Sequence, residues 1–446
     1  MKILVINGSP KGEHSITLQT VRYLEKKFPA HEFEVLHAGQ RIKALEKDFS
    51  PAIAALEKAE ALLFSYPIYT FIAPCQLHRF IELMKAHGVN VSGKIATQIT
   101  TSKHFYDVTA HRYIQDNVQE MGMHFIRGLS ADMEDLTLEK GRVEAENFWK
   151  HFCWCVEKGY YEPYFPADPI TAPVPVSVPE ETTEKKPGDV VIIADLDPED
   201  AQLAGMIDRF CRQLPYVTRV VNLREYPFRG GCLGCFHCAA DGTCVYKDGF
   251  DAFLRNDIQK SDAMVYAFAI RDHSMGALFK MYDDRQFCNG HRTVTIGMPV
   301  GYLISGNLSK EENLRTIIEG RAQVGCNILS GIATDEIDPD AAIDRLADSL
   351  AYALEHKNTG PQNFYGVGGM KIFRDLIWQM RGMMRADHKF FKSHGQYDFP
   401  QKKWGQSMLM YLVGAMIANP KVRKKMGSKM TEGMLMPYKK ILDKTK

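Results

Sequence analysis

With 446 residues, 45% hydrophobic and 24% charged, and a formal net charge of +1, the chain has a globular composition and length enough for two or three domains. The near-neutral balance argues against nucleic-acid binding by the chain as a whole, and no run reaches the roughly 18 apolar residues that span a bilayer. The apolar opening, residues 1–6, is too short for a signal peptide and stops at the turn Asn7-Gly8-Ser9-Pro10, so a cytoplasmic location is expected.

Residues 2–6 read as a buried strand. A turn follows at Gly8-Ser9-Pro10-Lys11, then an amphipathic helix from near Ser15 with Leu18, Val21, Leu24 and Phe28 on one face. Backbone N–H groups at a helix N-terminus, joined by the hydroxyls of Ser9, Ser15 and Thr17, suit a phosphate. An ordinary strand-to-helix turn has the same outline.

Residues 33–36 and 61–66 read as further strands on either side of a helical stretch near 50–60. The second runs into Tyr66-Pro67-Ile68-Tyr69-Thr70-Phe71. Loops at strand C-termini line the ligand crevice of a parallel sheet, so this stiff aromatic loop suits a flat ring system; simple hydrophobic packing is the alternative. A strand at 94–99 leads to a polar loop at 100–106 that carries Thr101, Ser102, Lys103 and His104. The last two are able to neutralise a flavin or nicotinamide, or are merely solvated.

From 160 to 188 the chain is polar and proline-rich, a semi-rigid linker. Beyond it the first unit repeats. Residues 189–193 echo the opening strand, 262–266 echo 60–64, 328–335 echo 125–132, and the helical segment 278–283 echoes 77–82. The expected fold is α/β: two doubly wound parallel-sheet domains in tandem, at 1–159 and 189–357, with a basic helical extension at 358–446. In the second half the phosphate-like turn is replaced by Ala194-Asp195-Leu196-Asp197-Pro198-Glu199-Asp200, whose carboxylates repel a phosphate.

That half instead carries Cys232, Cys235, Cys238 and Cys244 after the strand at 217–223. Three chemistries compete for them. Structural zinc draws on two separated Cys-x2-Cys pairs, about 15–20 residues apart, whereas here the pairs overlap and share Cys235. Overlap on one wrapping loop favours an iron-sulfur cluster. A redox dithiol is the third reading, and it needs only two cysteines. His237 is read as lying beside the site or exposed, and Cys75, Cys153, Cys155, Cys211, Cys288 and Cys326 as buried or spare thiols. The stretch from 360 onward holds 17 Lys and Arg against 5 acidic residues. It reads as helices packed on the sheet domains, as a docking segment for a partner, or as a peripheral membrane segment.

The turn Gly8-Ser9-Pro10-Lys11 with Ser15 and Thr17, followed by Tyr66-Pro67-Ile68-Tyr69, resembles the flavodoxin-like NADPH-dependent FMN reductases, and the compact cysteine loop resembles their iron-sulfur flavoprotein branch. The resemblance covers residues 1–355. It implies FMN held by Ser9, Pro10, Lys11, Ser15, Thr17, Pro67, Ile68, Tyr69, Thr70, Phe71, Thr101 and Ser102, a 4Fe-4S cluster on the four cysteines, and NAD(P)H or a redox protein as partner. It also implies oligomers in which flavin and cluster of neighbouring subunits approach one another. In that family both motifs share a domain, whereas here each half keeps one. The duplicated chain is therefore expected to act as its own dimer, with one FMN and one cluster and no residue nominated as acid, base or nucleophile. A non-enzymatic electron carrier or redox sensor, and a flavin or quinone reductase with structural zinc, are the rival readings.

Overall fold

The computed structural model describes residues 1–165, 172–180 and 184–445. Of the expected linker, Pro166, Pro169 and Glu181 lie outside the described residues. The first half contains β1 (Lys2–Asn7), α1 (Ile16–Lys27), β2 (Glu32–Leu36), α2 (Ala38–Leu45), α3 (Ser50–Lys58), β3 (Ala61–Pro67), α4 (Cys75–Ala86), β4 (Ile95–Ser102), α5 (Asp107–Glu120), β5 (His124–Phe125), β6 (Leu129–Asp132) and α6 (Glu139–Lys158). The second contains β7 (Lys186–Ala194), α7 (Ala201–Gln213), β8 (Tyr216–Asn222), α8 (Phe250–Phe253), β9 (Ala263–Ala269), α9 (Ala277–Arg285), β10 (Pro299–Ser305), α10 (Glu312–Gly325), β11 (Ile328–Thr334) and α11 (Pro339–His356). After these come α12 (Phe364–Gln379), α13 (Arg385–Ser393), α14 (Trp404–Ala418) and α15 (Pro420–Leu442). The chain packs as two compact units, 1–390 and 391–446.

Both sheets are parallel and have the same order, β2-β1-β3-β4-β5 in the first half, with β6 also on β4, and β8-β7-β9-β10-β11 in the second. This 2-1-3-4-5 order is the flavodoxin-like doubly wound arrangement. Because both faces of each sheet are covered, the central strands read as near-continuous apolar runs. The fifth strand is irregular at equivalent places: it breaks between β5 and β6 around Gly128, where a Cβ would overlap the Gln98 carbonyl, and β11 shifts register against β10 at the aligned Gly331. One difference from expectation is the length of β4. Thr100, Thr101 and Ser102 lie on the strand, paired with Ser130, Ala131 and Asp132 of β6, because that neighbour extends the ladder past Ile99.

The turn after the third strand also repeats. Tyr69 bridges Ile72, with φ of 43° at Thr70 and 73° at Phe71; Arg271 bridges Ser274, with φ of 51° at Asp272 and 61° at His273. Such backbone is costly for residues with a Cβ, and its recurrence ties the halves together as copies. Outer helices α1 and α6 cover one sheet, α7 and α11 the other, and a single apolar core runs through the middle layer. There α4 packs on its counterpart α9, and α5 on its counterpart α10. Like helices meeting like helices is the contact pattern of an isologous dimer, made here within one chain. The linker segment is laid along the second domain: Val174 N–H donates to the Asp335 carbonyl at 2.9 Å, and Arg209 donates to the Ser177 carbonyl at 2.6 Å.

A charge cluster closes the seam between the halves. His273 Nδ1 lies 2.9 Å from Glu311, and its Nε2 lies 3.4 Å from Glu120 of the first half. Burial opposes the imidazolium, but the hydrogen bonds and charges of Glu120 and Glu311 outweigh it and raise the His273 pKa to about 9. A raised folded-state value makes this contribution complete below the unfolded pKa of 6.5 and loses it as pH climbs through about 9. Urea unfolding midpoints should therefore fall between pH 6.5 and 9.5, by the equivalent of about 1–3 kcal/mol. The variant His273→Asn should show a flat profile across that window; a wild-type profile in the variant would assign the pH dependence elsewhere.

Candidate active site

The turn after β1 is held by Asn7, which the sequence reading did not single out. Its Oδ1 accepts from Ser9 N–H at 3.2 Å, and its Nδ2 donates to the Gly12 carbonyl at 2.9 Å. Ser9 Oγ accepts from Lys11 N–H at 3.3 Å, and Ser15 caps α1 by accepting from Leu18 N–H at 3.4 Å. The first-turn amides of a helix have no acceptors within the helix, and the positive end of its dipole favours an anion there. Thr17 Oγ1 meets Thr101 Oγ1 at 2.6 Å, which fixes the start of α1 against the end of β4.

The aromatic loop 67–71 is shaped from both halves. Thr109 Oγ1 donates to the Phe71 carbonyl, and Thr70 Oγ1 is buried without a hydrogen-bond partner. From the second half, Lys280 on α9 is wholly buried and donates to the carbonyls of Tyr69 at 2.9 Å and Thr70 at 3.3 Å. Asp283 and Asp284 complete its shell, and Asp284 also accepts from Cys75 N–H at 2.8 Å. Arg321, on α10, pairs with Asp283 and lies 5.4 Å from the centre of the Phe71 ring.

The cysteine loop is pinned by Arg285, the residue after Asp284 on α9. Arg285 donates to the Gly230 carbonyl at 2.9 Å and to Cys244 Sγ at 3.7 Å, pairs with Asp248 at 2.7 Å, and stacks 4.7 Å from the Tyr246 ring. Gln76 of the first half donates to the Cys232 carbonyl at 3.2 Å. Gly234, at φ 60°, lies so close to Tyr69 that a Cβ there would overlap the phenol oxygen. Burial, followed by the neighbouring Cys232, holds the Tyr69 hydroxyl far above its ordinary pKa. Burial likewise pushes Cys232 up, Cys238 to about 11 and Cys288 to about 12.

One cavity of about 570 Å³ joins these parts, a volume in the ordinary range for cofactor and small-molecule sites. The first domain lines it with Ser9, Lys11, Ser15, Thr17, Pro67, Ile68, Tyr69, Thr70, Phe71, Thr101 and Ser102, and the second with Cys232, Cys235, Cys238 and Cys244. Pro10 is not among the lining residues. Lys103 is, but it is paired with Asp132 at 2.8 Å, while His104 turns to Asp107 at 2.9 Å. Two of the six spare thiols also belong here. Cys288 lines the cavity, and Cys75 lies directly beneath Gly231.

The cysteines share the cavity without converging. Among the described residues, no three His, Cys, Asp or Glu side chains are gathered into a metal-ligand set. Three of the sulfurs are turned to separate partners: Cys232 Sγ accepts from Gly234 N–H at 3.4 Å, the Cys238 thiol donates to the Phe287 carbonyl at 3.2 Å, and Cys244 Sγ accepts from Arg285 at 3.7 Å. The donor types fit a thiophilic centre. In the second half, Arg224 fills the turn after β7 by pairing with Asp195 at 2.8 Å and Asp197 at 2.7 Å. Carboxylates and their own counter-ion occupy the place where the first half presents hydroxyls and helix amides.

The family model described as NADPH-dependent FMN reductase matches residues 1–134, the segment that carries the turn, the aromatic loop and the end of β4. The match covers the first-half sheet as far as β6 and does not reach the cysteine loop. An iron-sulfur flavoprotein of Archaeoglobus fulgidus is 26% identical over 175 residues, which span 37% of this chain and 78% of that protein. Among solved structures, an apo NADH:FMN oxidoreductase is 20% identical with a TM-score of 0.30, covering 34% of this chain and 87% of its own. General stress protein 14 of Treponema denticola, in complex with FMN, is 13% identical with a TM-score of 0.28, covering 35% of this chain and 99% of its own. The pocket beside the matched segment is completed by residues from the second half of the same chain.

Proposed function

We propose that the chain is an NAD(P)H-dependent FMN oxidoreductase that holds one FMN on its first domain and one iron-sulfur cluster on the cysteine loop of its second, so that the duplicated chain serves as its own dimer. The observation that carries this reading is the single cavity walled by both loops, with Tyr69 seated against Gly234. Bound FMN would supply two-electron chemistry with NAD(P)H, and a cluster would supply one-electron exchange with an acceptor.

The chain's own residues have distinct tasks. Ser9, Ser15, Thr17 and the N-terminus of α1 bind the phosphate. Pro67, Tyr69 and Phe71 wall the ring, and the unpartnered Thr70 hydroxyl is available to it. Cys232, Cys235, Cys238 and Cys244 would hold the metal centre. Thiols with raised pKa values, as at Cys238, are poor nucleophiles at neutral pH, which disfavours dithiol exchange, whereas metal binding deprotonates its cysteine ligands outright. The carboxylates facing the second-half turn support a single flavin per chain.

Anaerobic reconstitution with FMN, iron and sulfide, followed by flavin and metal analysis, tests this. One FMN and about four iron atoms per chain are expected. Cys235→Ser should lose the iron and keep the FMN and the oxidation of NADPH with a two-electron dye. Two FMN per chain would overturn the division between the halves, and zinc without iron would overturn the cluster.

A further inference from the structure

α14 (Trp404–Ala418) has 15 residues and no charged side chain. Its neighbours are strongly cationic: between residues 399 and 431 the chain carries seven Lys and Arg and no Asp or Glu. Lys402 and Lys403 precede α14, and Lys421, Arg423 and Lys424 follow it on the first turns of α15, which packs against it.

Met408, Leu409, Met410, Tyr411 and Leu412 are consecutive, so at 100° per residue they point to every side of the helix. Each is more than half exposed, from 54% at Leu409 to 82% at Tyr411. A helix that is apolar all round requires an apolar environment on all sides. A protein groove covers one stripe of such a helix and leaves the rest in water, whereas lipid surrounds it. At about 22 Å, from a rise of 1.5 Å per residue, α14 is shorter than a hydrocarbon core of about 30 Å, and no described helix is long and apolar enough to cross a membrane. Trp404 and Tyr411 are the side-chain types that favour the headgroup level.

We propose that α14 and the start of α15 form a membrane-docking hairpin, which buries α14 among the acyl chains of one leaflet of a bilayer containing anionic phospholipid while the flanking lysines and arginine pair with lipid phosphates. The apolar helix supplies insertion and the cations supply selection for negative surfaces.

The full chain should sediment with phosphatidylcholine vesicles that contain phosphatidylglycerol, and should stay in the supernatant with phosphatidylcholine alone. Added salt should weaken binding as the surface potential is screened. Each of Lys403→Gln, Lys421→Gln and Arg423→Gln should lower the partition coefficient about fivefold, and Leu409→Glu/Leu412→Glu should abolish sedimentation. Vesicles should also shift the fluorescence of Trp404 to the blue; Trp404→Phe should lose that shift while still sedimenting. All these residues are exposed and remote from the FMN loops in sequence, so FMN content should be unchanged and serves as the folding control. Failure of the full chain to bind anionic vesicles at low salt would overturn the proposal. So would undiminished binding by the double glutamate variant, or a vesicle-independent blue shift with self-association, which would assign α14 to a second copy of the chain.

Discussion

Lys280→Met is expected to lower the unfolding free energy by about 3–5 kcal/mol, the range for removing one partner of a buried ion pair. The ammonium is the common partner of the buried Asp283 and Asp284 and of the carbonyls of Tyr69 and Thr70. Methionine keeps the length of the side chain and removes the charge, leaving Asp283 to Arg321 and Asp284 to the Cys75 N–H, and the two loop carbonyls without their donor. Since those carbonyls belong to the loop proposed to wall the flavin, FMN affinity should fall roughly tenfold or more, as expected for lost hydrogen bonds to a charged group. Urea unfolding followed by circular dichroism reads the first effect, and quenching of FMN fluorescence on titration reads the second. A variant as stable as the wild type would show that the cluster reorganises without its cation. Normal stability with normal FMN affinity would remove Lys280 from the site.

Gly234→Ala is expected to be the most damaging single methyl group in the cysteine loop. Alanine at φ 60° costs about 1–2 kcal/mol in backbone strain, and the overlap of its Cβ with the Tyr69 phenol adds about 1–3 kcal/mol of overpacking. The two contributions can be separated. Tyr69→Phe removes the oxygen that the Cβ would meet, so Gly234→Ala/Tyr69→Phe should regain the overlap component and retain the backbone one. A double-mutant cycle on urea midpoints measures the coupling. Additive effects would mean that the loop and Tyr69 do not touch in solution.

The duplication and the strand-end loops were legible because they rest on local pattern. Apolar runs at 61–66 and 262–266 announce central strands, and the replacement of Gly8-Ser9-Pro10 by Ala194-Asp195-Leu196 announces a turn that repels phosphate; Arg224 on Asp195 and Asp197 gives that replacement a structural form. The cysteine spacing located a loop on the shared cavity, but not the directions of its sulfurs, which depend on carbonyls as distant as Phe287. Lys280-Met281-Tyr282-Asp283-Asp284-Arg285 was not legible. Four charged residues in six, read along the chain, describe a solvated helix face, and the packing of α9 on α4 buries them. Cys75 and Cys288 were hidden for the same reason, being single cysteines brought to the site by tertiary contacts rather than by a motif. Thr100 to Ser102 read as loop because their polarity outweighed their β-branching until a pairing strand was known.

The echo of residues 77–82 in 278–283 sets Arg79 opposite Lys280. Arg79 is 41% exposed and pairs with Glu46 and Glu82 at 2.9 Å each, while Lys280 is sealed inside the seam. In a symmetric homodimer every substitution is made twice, and a change that favours one copy of an interface must be tolerated by the other. Within one chain that constraint is absent: the basic position on α9 is an internal brace and the matching one on α4 a surface residue. The same freedom lets mutations accumulate in the Arg79 helix face without disturbing the site, whereas its twin should tolerate almost none, an asymmetry that deep mutational scanning of α4 and α9 would read out residue by residue.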